Sequence, residues 1–137
     1  PLYSSAASDV YKRQPLDLGI ARCRLMTAVP VGVSSSQGRL RVATKYVNIA
    51  RQFYAQKGTQ ADLIKLYGAM ELAPILDLAD EIVDIVDTGN TLKANGLQSR
   101  HKIADISARL IVNKATMKTK YSDVQAIVDS LSQAVSV

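Results

Sequence analysis

The chain has 137 residues, of which 47% are hydrophobic and 21% are charged, and this composition is typical of a globular domain rather than of a disordered chain. Its apolar runs fall short of the roughly 20 residues that a membrane-spanning helix requires, so the sequence predicts no membrane segment. The net charge of +5 is modest and residues 61–96 are acidic, which argues against a nucleic-acid-binding surface. The single cysteine offers no disulfide framework, as expected of a cytoplasmic protein.

The first 14 residues differ from the rest of the chain. They read PLYSSAASDVYKRQ and have neither helical nor strand periodicity of apolar residues. Ser4–Gln14 can be back-translated into a string that resembles the transposon-end adaptor of sequencing libraries. We therefore expect residues 1–14 to be a disordered adaptor scar, with a native disordered tail as the alternative. The native sequence would then begin in mid-protein at residue 15.

Beyond residue 14, short apolar strands alternate with helical patterns, which is typical of an α/β domain. In chain order the pattern predicts a strand over 21–30, a polar loop over 31–38, a strand over 40–44, a helix over 47–56 and a strand over 61–67. It then predicts a turn into a short helix over 68–79, a strand that runs into a glycine loop over 81–89, a short helix over 90–96, a strand over 106–113 and a helix over 121–137.

Several residues predict where the helices begin and end. Gly58 and Gly96 are expected to end the first and third helices, because glycine adopts the left-handed conformation that follows a helix. Pro74 fits only near the first turn of the second helix. Ser122 is expected to be the N-cap of the last helix, whose apolar stripe lies within residues 124–135.

The stretch EIVDIVDTGNTLKANGL, residues 81–97, has the clearest chemical pattern. An apolar strand leads into DTGNT, residues 87–91, and a helix follows at once. Backbone N–H groups of such a turn converge beside the positive end of the helix dipole, which makes the turn an anion cradle. Gly89 permits close approach of an anion, and the hydroxyls of Thr88 and Thr91 can donate to phosphate oxygens.

Two carboxylates, Asp84 and Asp87, flank this cradle. They would repel a lone phosphate, but they suit a ligand that also has hydroxyl groups or a magnesium ion, as a sugar phosphate does. The alternative is an ordinary strand–turn–helix connection in which Asp87-Thr88-Gly89 provides only turn chemistry. Spacing alone does not decide between these two interpretations.

Five ordered stretches give the chain a specific resemblance to a known family. They are LDLGIARCRL (16–25), RVATKYVNIAR (41–51), KLYGAMELAP (65–74), ADEIVDIVDTGNTLKANGL (79–97) and DISARLIVN (105–113). From Pro15 to about Lys118 the chain resembles the C-terminal part of bacterial ATP phosphoribosyltransferase. It departs from the family at Val47, where the usual proline suits the first helical position.

The resemblance implies an α/β fold of the periplasmic-binding-protein type (type II). Residues 15–100 would form the complete second domain, which binds phosphoribosyl pyrophosphate. Residues 101–137 would be the strand and helix that return to a first domain whose N-terminal part is absent. The apolar stripe of the last helix would then have too little to pack against, and this chain alone is expected to turn over poorly or not at all.

The resemblance also implies a reaction. The family joins N1 of the adenine of ATP to the anomeric carbon of phosphoribosyl pyrophosphate, releasing pyrophosphate in the first step of histidine biosynthesis. Mg2+ is expected to arrive with the substrate, and no residue is assigned to a metal. The substrate-binding residues implied for phosphoribosyl pyrophosphate are Asp84 at the ribose hydroxyls and, around the 5-phosphate, Asp87, Thr88, Gly89, Asn90 and Thr91.

A second set of residues, Glu71, Lys45 and Thr44, matches the nucleotide and ribose side of the family's cleft. Glu71 has an alternative role as a first-turn residue that complements a helix dipole. Lys45 has an alternative role as a solvated lysine at the start of a helix. The only histidine, His101, is expected in a polar surface loop, and Cys23 is expected to be a small buried residue.

The resemblance does not extend to the C-terminal regulatory domain of the family's long form. We therefore expect the short form, a homo-oligomer that works with a histidyl-tRNA-synthetase-like regulatory subunit. The alternative function, from another class, is a non-catalytic small-molecule sensor of the periplasmic-binding-protein type, since fold alone does not determine function.

Overall fold

The computed structural model describes residues 10–34 and 38–135. The strands are β1 (Val10–Asp17), β2 (Cys23–Pro30), β3 (Leu40–Thr44), β4 (Ala61–Lys65), β5 (Glu81–Val86), β6 (Leu97–Ile106) and β7 (Arg109–Asn113). The helices are α1 (Val47–Gln56), α2 (Leu72–Ile75), α3 (Asn90–Ala94), α4 (Lys114–Thr119) and α5 (Tyr121–Val135). The chain divides into two compact units, a smaller one with residues up to Arg22 and from Ile106 onward, and a larger one, Cys23–Asp105. No helix within the described ranges is long and apolar enough to cross a membrane.

The smaller unit contains an antiparallel pair of strands, β1 and β7. Asp17 pairs with Arg109, and the Leu18 N–H donates to the Ala108 carbonyl at 2.9 Å. Residues 16–22, which the sequence analysis assigned to the 15–100 domain, therefore belong to this unit.

The predicted disorder is wrong for residues 10–14, because β1 begins at Val10 and strand pairing requires only backbone partners. Residues 1–9 of the predicted scar lie outside the described residues.

The last helix, α5, buries none of its described residues, and Ile127 in its apolar stripe is 57% exposed. The helix begins at Tyr121, so Ser122 lies in its first turn and the predicted N-cap is wrong. Helix α4 ends at Thr119, immediately before α5. Lys120 lies between the two helices, and its carbonyl accepts the Val124 N–H at 3.0 Å. The two final residues of the predicted 121–137 helix lie outside the described residues.

The larger unit is built on a five-stranded sheet with the order β4-β3-β5-β2-β6. Strand β3 is parallel to both β4 and β5, whereas β2 is antiparallel to β5. After β3 the chain forms β4 on one side of that strand, and it then returns to form β5 on the opposite side of β3. The order of the parallel strands therefore reverses between β3 and β5.

Both faces of this sheet are covered. One face packs against α2, α3 and their flanking turns, through Met26, Ala28, Ala43, Met70, Ala73, Ala79, Ile82, Val86, Leu92 and Leu97. The other face meets α1, whose buried Tyr54 donates its hydroxyl to Oε1 of the buried Glu81 at 2.9 Å. Helices on opposite faces of a mixed sheet, in which β3, β4 and β5 are parallel, make this an α/β unit, as the alternating pattern predicts.

The predicted bounds of the elements 40–44 and 47–56 agree with β3 and α1. Gly58 follows α1 with a φ of +69°, and the Thr59 N–H closes the end by donating to the Tyr54 carbonyl at 2.9 Å. The turn into a short helix predicted over 68–79 is present, with α2 limited to Leu72–Ile75. Ala69 and Asp77 have positive φ values of 52° and 56°, and these left-handed residues interrupt the helix on both sides of α2.

The sequence analysis missed β6, which runs along the edge of the sheet next to β2. Most of its side chains are exposed, so the strand lacks the alternation that the analysis required. His101 is therefore in a strand rather than a loop, with its backbone N–H donating to Oγ1 of Thr27 at 3.1 Å. Residues 101–105, assigned to the return segment, lie in the larger unit. Residues 35–37 of the predicted 31–38 loop are outside the described residues.

Candidate functional site

The carboxyl ends of β3 and β5 lie side by side in the larger unit, where Thr44 pairs with Val83. Ligands of open α/β sheets bind where the strand order reverses, because the two connections leave the sheet in opposite directions and open a crevice. The residues that follow β3 and β5 there are Lys45 and the turn 87–91. This end of the sheet is the candidate site.

The 87–91 turn lies at the surface, with Gly89 half-buried and its other residues exposed. Gly89 has a φ of +84°, and a Cβ placed on it would meet no atom within 4 Å, so backbone conformation rather than space requires glycine. The Asn90 N–H donates to Oγ1 of Thr88 at 3.3 Å, and α3 begins at Asn90. The predicted strand–turn–helix is therefore present, with its backbone accessible to a ligand.

Thr88 and Gly89 also contribute to a cavity of about 360 Å³ beside α3. Its lining residues are Arg24, Val31, Val86, Thr88, Gly89, Leu92, Lys93, Leu97, Gln98 and Ser99. The basic side chains among these are Arg24 and Lys93. Nη2 of Arg24 donates to the carbonyl oxygen of Asp87 at 3.1 Å, which links β2 to the first residue of the turn.

Asp84, near the end of β5, is half-buried and its Oδ1 accepts the Ile85 N–H at 2.8 Å. Burial is the largest cause that raises the pKa of Asp84, and the negative charge of Glu71 raises it further, while the Ile85 hydrogen bond and the positive charge of Lys45 oppose the shift. The structure thus brings Asp84, Glu71 and Lys45 close enough for their charges to interact. Two carboxylates and an ammonium group therefore lie within electrostatic range of one another near the 87–91 turn.

Thr44 has a different place from the one expected. Its side chain is fully buried, its hydroxyl donates to the Val83 carbonyl at 2.9 Å, and the same oxygen accepts the Tyr46 N–H at 2.9 Å. The side chain therefore has no surface for a ligand. The prediction that Thr44 contacts a ligand is therefore corrected. Its hydroxyl instead links β3 to β5 and to the start of α1 by hydrogen bonds.

Comparison with known proteins identifies the family. The sequence profile described as ATP phosphoribosyltransferase (HisG) matches residues 4–133. The chain belongs to the ATP phosphoribosyltransferase family. A relative from Saccharophagus degradans, named ATP phosphoribosyltransferase, is 68% identical over 123 residues, which cover 90% of this chain and 58% of the relative. One of the same name from Hahella chejuensis is 66% identical over 122 residues, with 89% and 58% covered. The chain thus spans less than two thirds of these relatives.

Solved structures agree with this family assignment. The chain is similar to the ATP phosphoribosyl transferase (HisG:HisZ) complex from Thermotoga maritima, with a TM-score of 0.81 and 35% identity, covering 90% of this chain and 62% of that one. A putative L-cystine ABC transporter from Listeria monocytogenes has a TM-score of 0.60 at 14% identity, with 97% and 60% covered, and it shows the fold alone. The predicted periplasmic-binding-protein-like α/β fold is confirmed.

Sequence reasoning missed two residues at this site, Arg24 and Tyr46. Arg24 is 63 positions from the Asp87 carbonyl that it contacts, and only the pairing of Arg24 with Val86 brings them together. Tyr46 is partly buried, and burial first, then the charge of Asp84, raises its pKa. Both residues lie within stretches that resemble ATP phosphoribosyltransferases, and this resemblance is the sequence signal that could have identified them. Cys23 is half-buried rather than buried as expected.

Proposed function

We propose that this chain is part of the catalytic subunit of an ATP phosphoribosyltransferase. This enzyme transfers the phosphoribosyl group from phosphoribosyl pyrophosphate to N1 of ATP, giving phosphoribosyl-ATP and pyrophosphate in the first step of histidine biosynthesis. Family membership supports the reaction. The observation that carries the proposal is the exposed 87–91 turn beside Asp84, at the reversal point of the sheet.

The proposed ligand contacts divide between the two groups of residues. The turn formed by Asp87, Thr88, Gly89, Asn90 and Thr91 would hold the 5-phosphate through backbone N–H groups and the two threonine hydroxyls. Asp84 would accept hydrogen bonds from the ribose hydroxyls, which also offset the cost of its partial burial. Glu71 and Lys45, whose charges act on Asp84, would lie toward the nucleotide side.

The reaction depends more on how the two substrates are positioned than on proton transfer by the protein. The bond from the anomeric carbon to the pyrophosphate oxygen breaks, and its electron pair leaves with pyrophosphate. The lone pair of adenine N1 forms the new bond to the anomeric carbon. Holding the ribose by its phosphate at one end and its hydroxyls at the other fixes the direction from which N1 approaches. The residues of the turn and Asp84 are suited to that role.

The carboxylate oxygens at this site are suitable ligands for a Mg2+ ion that arrives with the substrate. This ion prefers oxygen ligands and in phosphate chemistry binds one or two carboxylates together with substrate phosphates. Asp84 and Glu71 provide two interacting carboxylates at this end of the sheet. We propose that these two residues would hold Mg2+ with the substrate. The ion would neutralise charge on the departing pyrophosphate.

The proposed assembly follows the family's short form. The similar structure from T. maritima is a HisG:HisZ complex, which supports a homo-oligomer with a histidyl-tRNA-synthetase-like regulatory subunit as the partner of the complete protein. We place the enzyme in the cytoplasm, as the single cysteine suggests. The sensor alternative has no support beyond fold likeness at low identity.

Calorimetric titration of the 137-residue chain with phosphoribosyl pyrophosphate and Mg2+ tests the proposal. Binding is expected, and a Thr88→Ala/Thr91→Ala double variant should bind about tenfold or more weakly, because two hydrogen bonds to a charged group are lost. Thr119→Ala, which changes an exposed threonine of α4, is the control. A chain that binds cystine and ignores phosphoribosyl pyrophosphate would instead be a sensor.

Turnover is a separate measurement. Pyrophosphate release that depends on both ATP and phosphoribosyl pyrophosphate is expected from a full-length subunit. It is not expected from these 137 residues, which match 58% of the length of the relatives. Turnover by the 137-residue chain would show that the remaining part of the subunit is dispensable.

A further inference from the structure

We infer that Arg24 is a positioning residue for the 87–91 turn. Its guanidinium holds the carbonyl oxygen of Asp87 and thereby sets the direction in which the turn presents the Thr88 N–H group. The inference rests on the proposed role of this turn in phosphate binding. Arg24 acts through the backbone and need not touch the ligand.

The sheet places Arg24 for this contact. Arg24 on β2 pairs with Val86 on β5, and Val86 is the last residue before the turn. The side chain has only to extend past the end of β5 for Nη2 to reach the Asp87 carbonyl at 3.1 Å. The contact therefore connects the rigid part of the sheet to the first residue of the turn.

The geometry of the peptide group explains what this contact controls. The Asp87–Thr88 peptide is trans, and a trans peptide is planar with its C=O and N–H bonds pointing in opposite directions. A guanidinium that fixes the Asp87 carbonyl consequently fixes the Thr88 N–H, directed to the other side of the turn. Rotation of this one peptide would remove the N–H from the cradle.

The turn has weak restraints of its own. Gly89 has the left-handed φ of +84° and the largest intrinsic backbone freedom. The hydrogen bond from the Asn90 N–H to the Thr88 hydroxyl is long, at 3.3 Å, and α3 has only five residues. An external contact from Arg24 reduces the conformational entropy that a bound phosphate would otherwise have to remove.

Charge adds to this effect. A hydrogen bond from a guanidinium is stronger than a neutral one, and hydrogen bonds in a chain polarise each other. Withdrawal of electron density through the Asp87 carbonyl makes the Thr88 N–H a better donor to an anion. Lysine keeps the positive charge but lacks the planar guanidinium with several donors. Arg24→Lys should therefore keep part of this stabilisation of the turn.

Titration of the 137-residue chain with ribose 5-phosphate compares wild type, Arg24→Met and Arg51→Met. Arg51 is an exposed arginine of α1 in the same unit, so its variant has the same loss of charge. Arg24→Met should weaken binding about three- to tenfold, with Arg24→Lys intermediate and Arg51→Met unchanged. Equal affinity of Arg24→Met and Arg51→Met would overturn the inference.

Backbone 15N relaxation separates this inference from the proposed function. In ligand-free Arg24→Met, the order parameters of the Thr88 and Gly89 amides should be lower than in wild type, while that of Val83 in the core of β5 should not change. Unchanged order parameters in the turn would overturn the role of Arg24 whatever the ligand result. If wild type binds no ribose 5-phosphate, the phosphate role of the turn fails, and the relaxation data still decide whether Arg24 positions it.

Discussion

Asp84 and Glu71 bring two like charges together at the carboxyl end of the sheet. Burial, and then the charge of Glu71, raises the pKa of Asp84, while Lys45 only partly opposes this. A nearby negative charge opposes the ionisation of a carboxyl group, so the charged form of Asp84 is disfavoured in the ligand-free protein. Under the proposed function, a bound sugar or Mg2+ would relieve this cost.

The Asp84→Asn variant should be more stable than wild type at neutral pH and bind ribose 5-phosphate more weakly. A raised folded-state pKa means that Asp84 favours folding below its ordinary pKa and loses this contribution as pH rises through the folded value. Asparagine removes the charge and keeps an acceptor for the Ile85 N–H. Urea unfolding at pH 7 and pH 3 measures the change, which should disappear at the lower pH. A variant less stable than wild type at pH 7 would contradict this prediction.

The buried pair of Tyr54 and Glu81 should contribute strongly to stability. Both residues are almost fully buried, and Nη1 of Arg100 lies 4.0 Å from Oε2 of Glu81. Tyr54→Phe removes a hydrogen bond to a charged acceptor and should lower the free energy of unfolding by about 1.5–3 kcal/mol. Tyr67→Phe is the matched control, since Tyr67 is 78% exposed. If the two variants had the same urea midpoint, the buried hydrogen bond would contribute nothing measurable.

The same tyrosine predicts a loss of stability in alkali. Burial, followed by the charge of Glu81, raises the pKa of Tyr54 well above its ordinary value. The contribution is present below the unfolded-state pKa of about 10 and declines as pH rises above it, because only the unfolded chain then releases the proton. The stability difference between wild type and Tyr54→Phe should therefore shrink from pH 9 to pH 11. A constant difference over that range would be evidence against the raised pKa.

Asp80 should stabilise the larger unit more than an ordinary surface carboxylate. It accepts hydrogen bonds from the backbone N–H, Nε and Nη2 of Arg41 at 2.9, 3.2 and 2.9 Å. Asp80→Asn should lower the free energy of unfolding by on the order of 1 kcal/mol at pH 7. The control is Asp62→Asn, because Asp62 makes an exposed ion pair with Arg39 that should contribute less.

The contribution of Asp80 should also depend on acid pH. The hydrogen bonds from Arg41 lower the pKa of Asp80, so its stabilisation is present above the ordinary value of about 4 and is lost as pH falls through the folded value. Urea unfolding of wild type and Asp80→Asn at pH 7 and pH 2.5 measures this. The difference between the two proteins should be smaller at the lower pH, and a difference that is the same at both pH values would contradict the lowered pKa.

Gly89→Ala should affect both stability and binding. No atom lies near a Cβ at this position, so the cost comes from the φ of +84° and should be about 1 kcal/mol. Affinity for ribose 5-phosphate should fall as the turn changes conformation. Gly68→Ala is the control, because Gly68 also has open space around its Cβ but no positive φ. Equal behaviour of the two variants would mean that the left-handed conformation of Gly89 is not needed.

The residues of α1 show how local pattern predicts an element. An apolar face at helical spacing, followed by Gly58, is enough to fix its extent, because both signals act within a few residues. The 87–91 turn is predictable for the same reason. By contrast, β6 is an edge strand with exposed side chains, and α2 is cut short by the left-handed Ala69 and Asp77. Neither feature has a periodic pattern.

The sequence by itself determined the α/β class, the family and the position of the 87–91 turn, since these depend on neighbouring residues and ordered motifs. Only the tertiary structure decided that Asp84, Glu71 and Lys45 interact, that Thr44 is buried, and that Arg24 holds the Asp87 carbonyl. Those contacts depend on strand order and register. Both are set by packing between residues that are far apart in the chain, and no local pattern contains them.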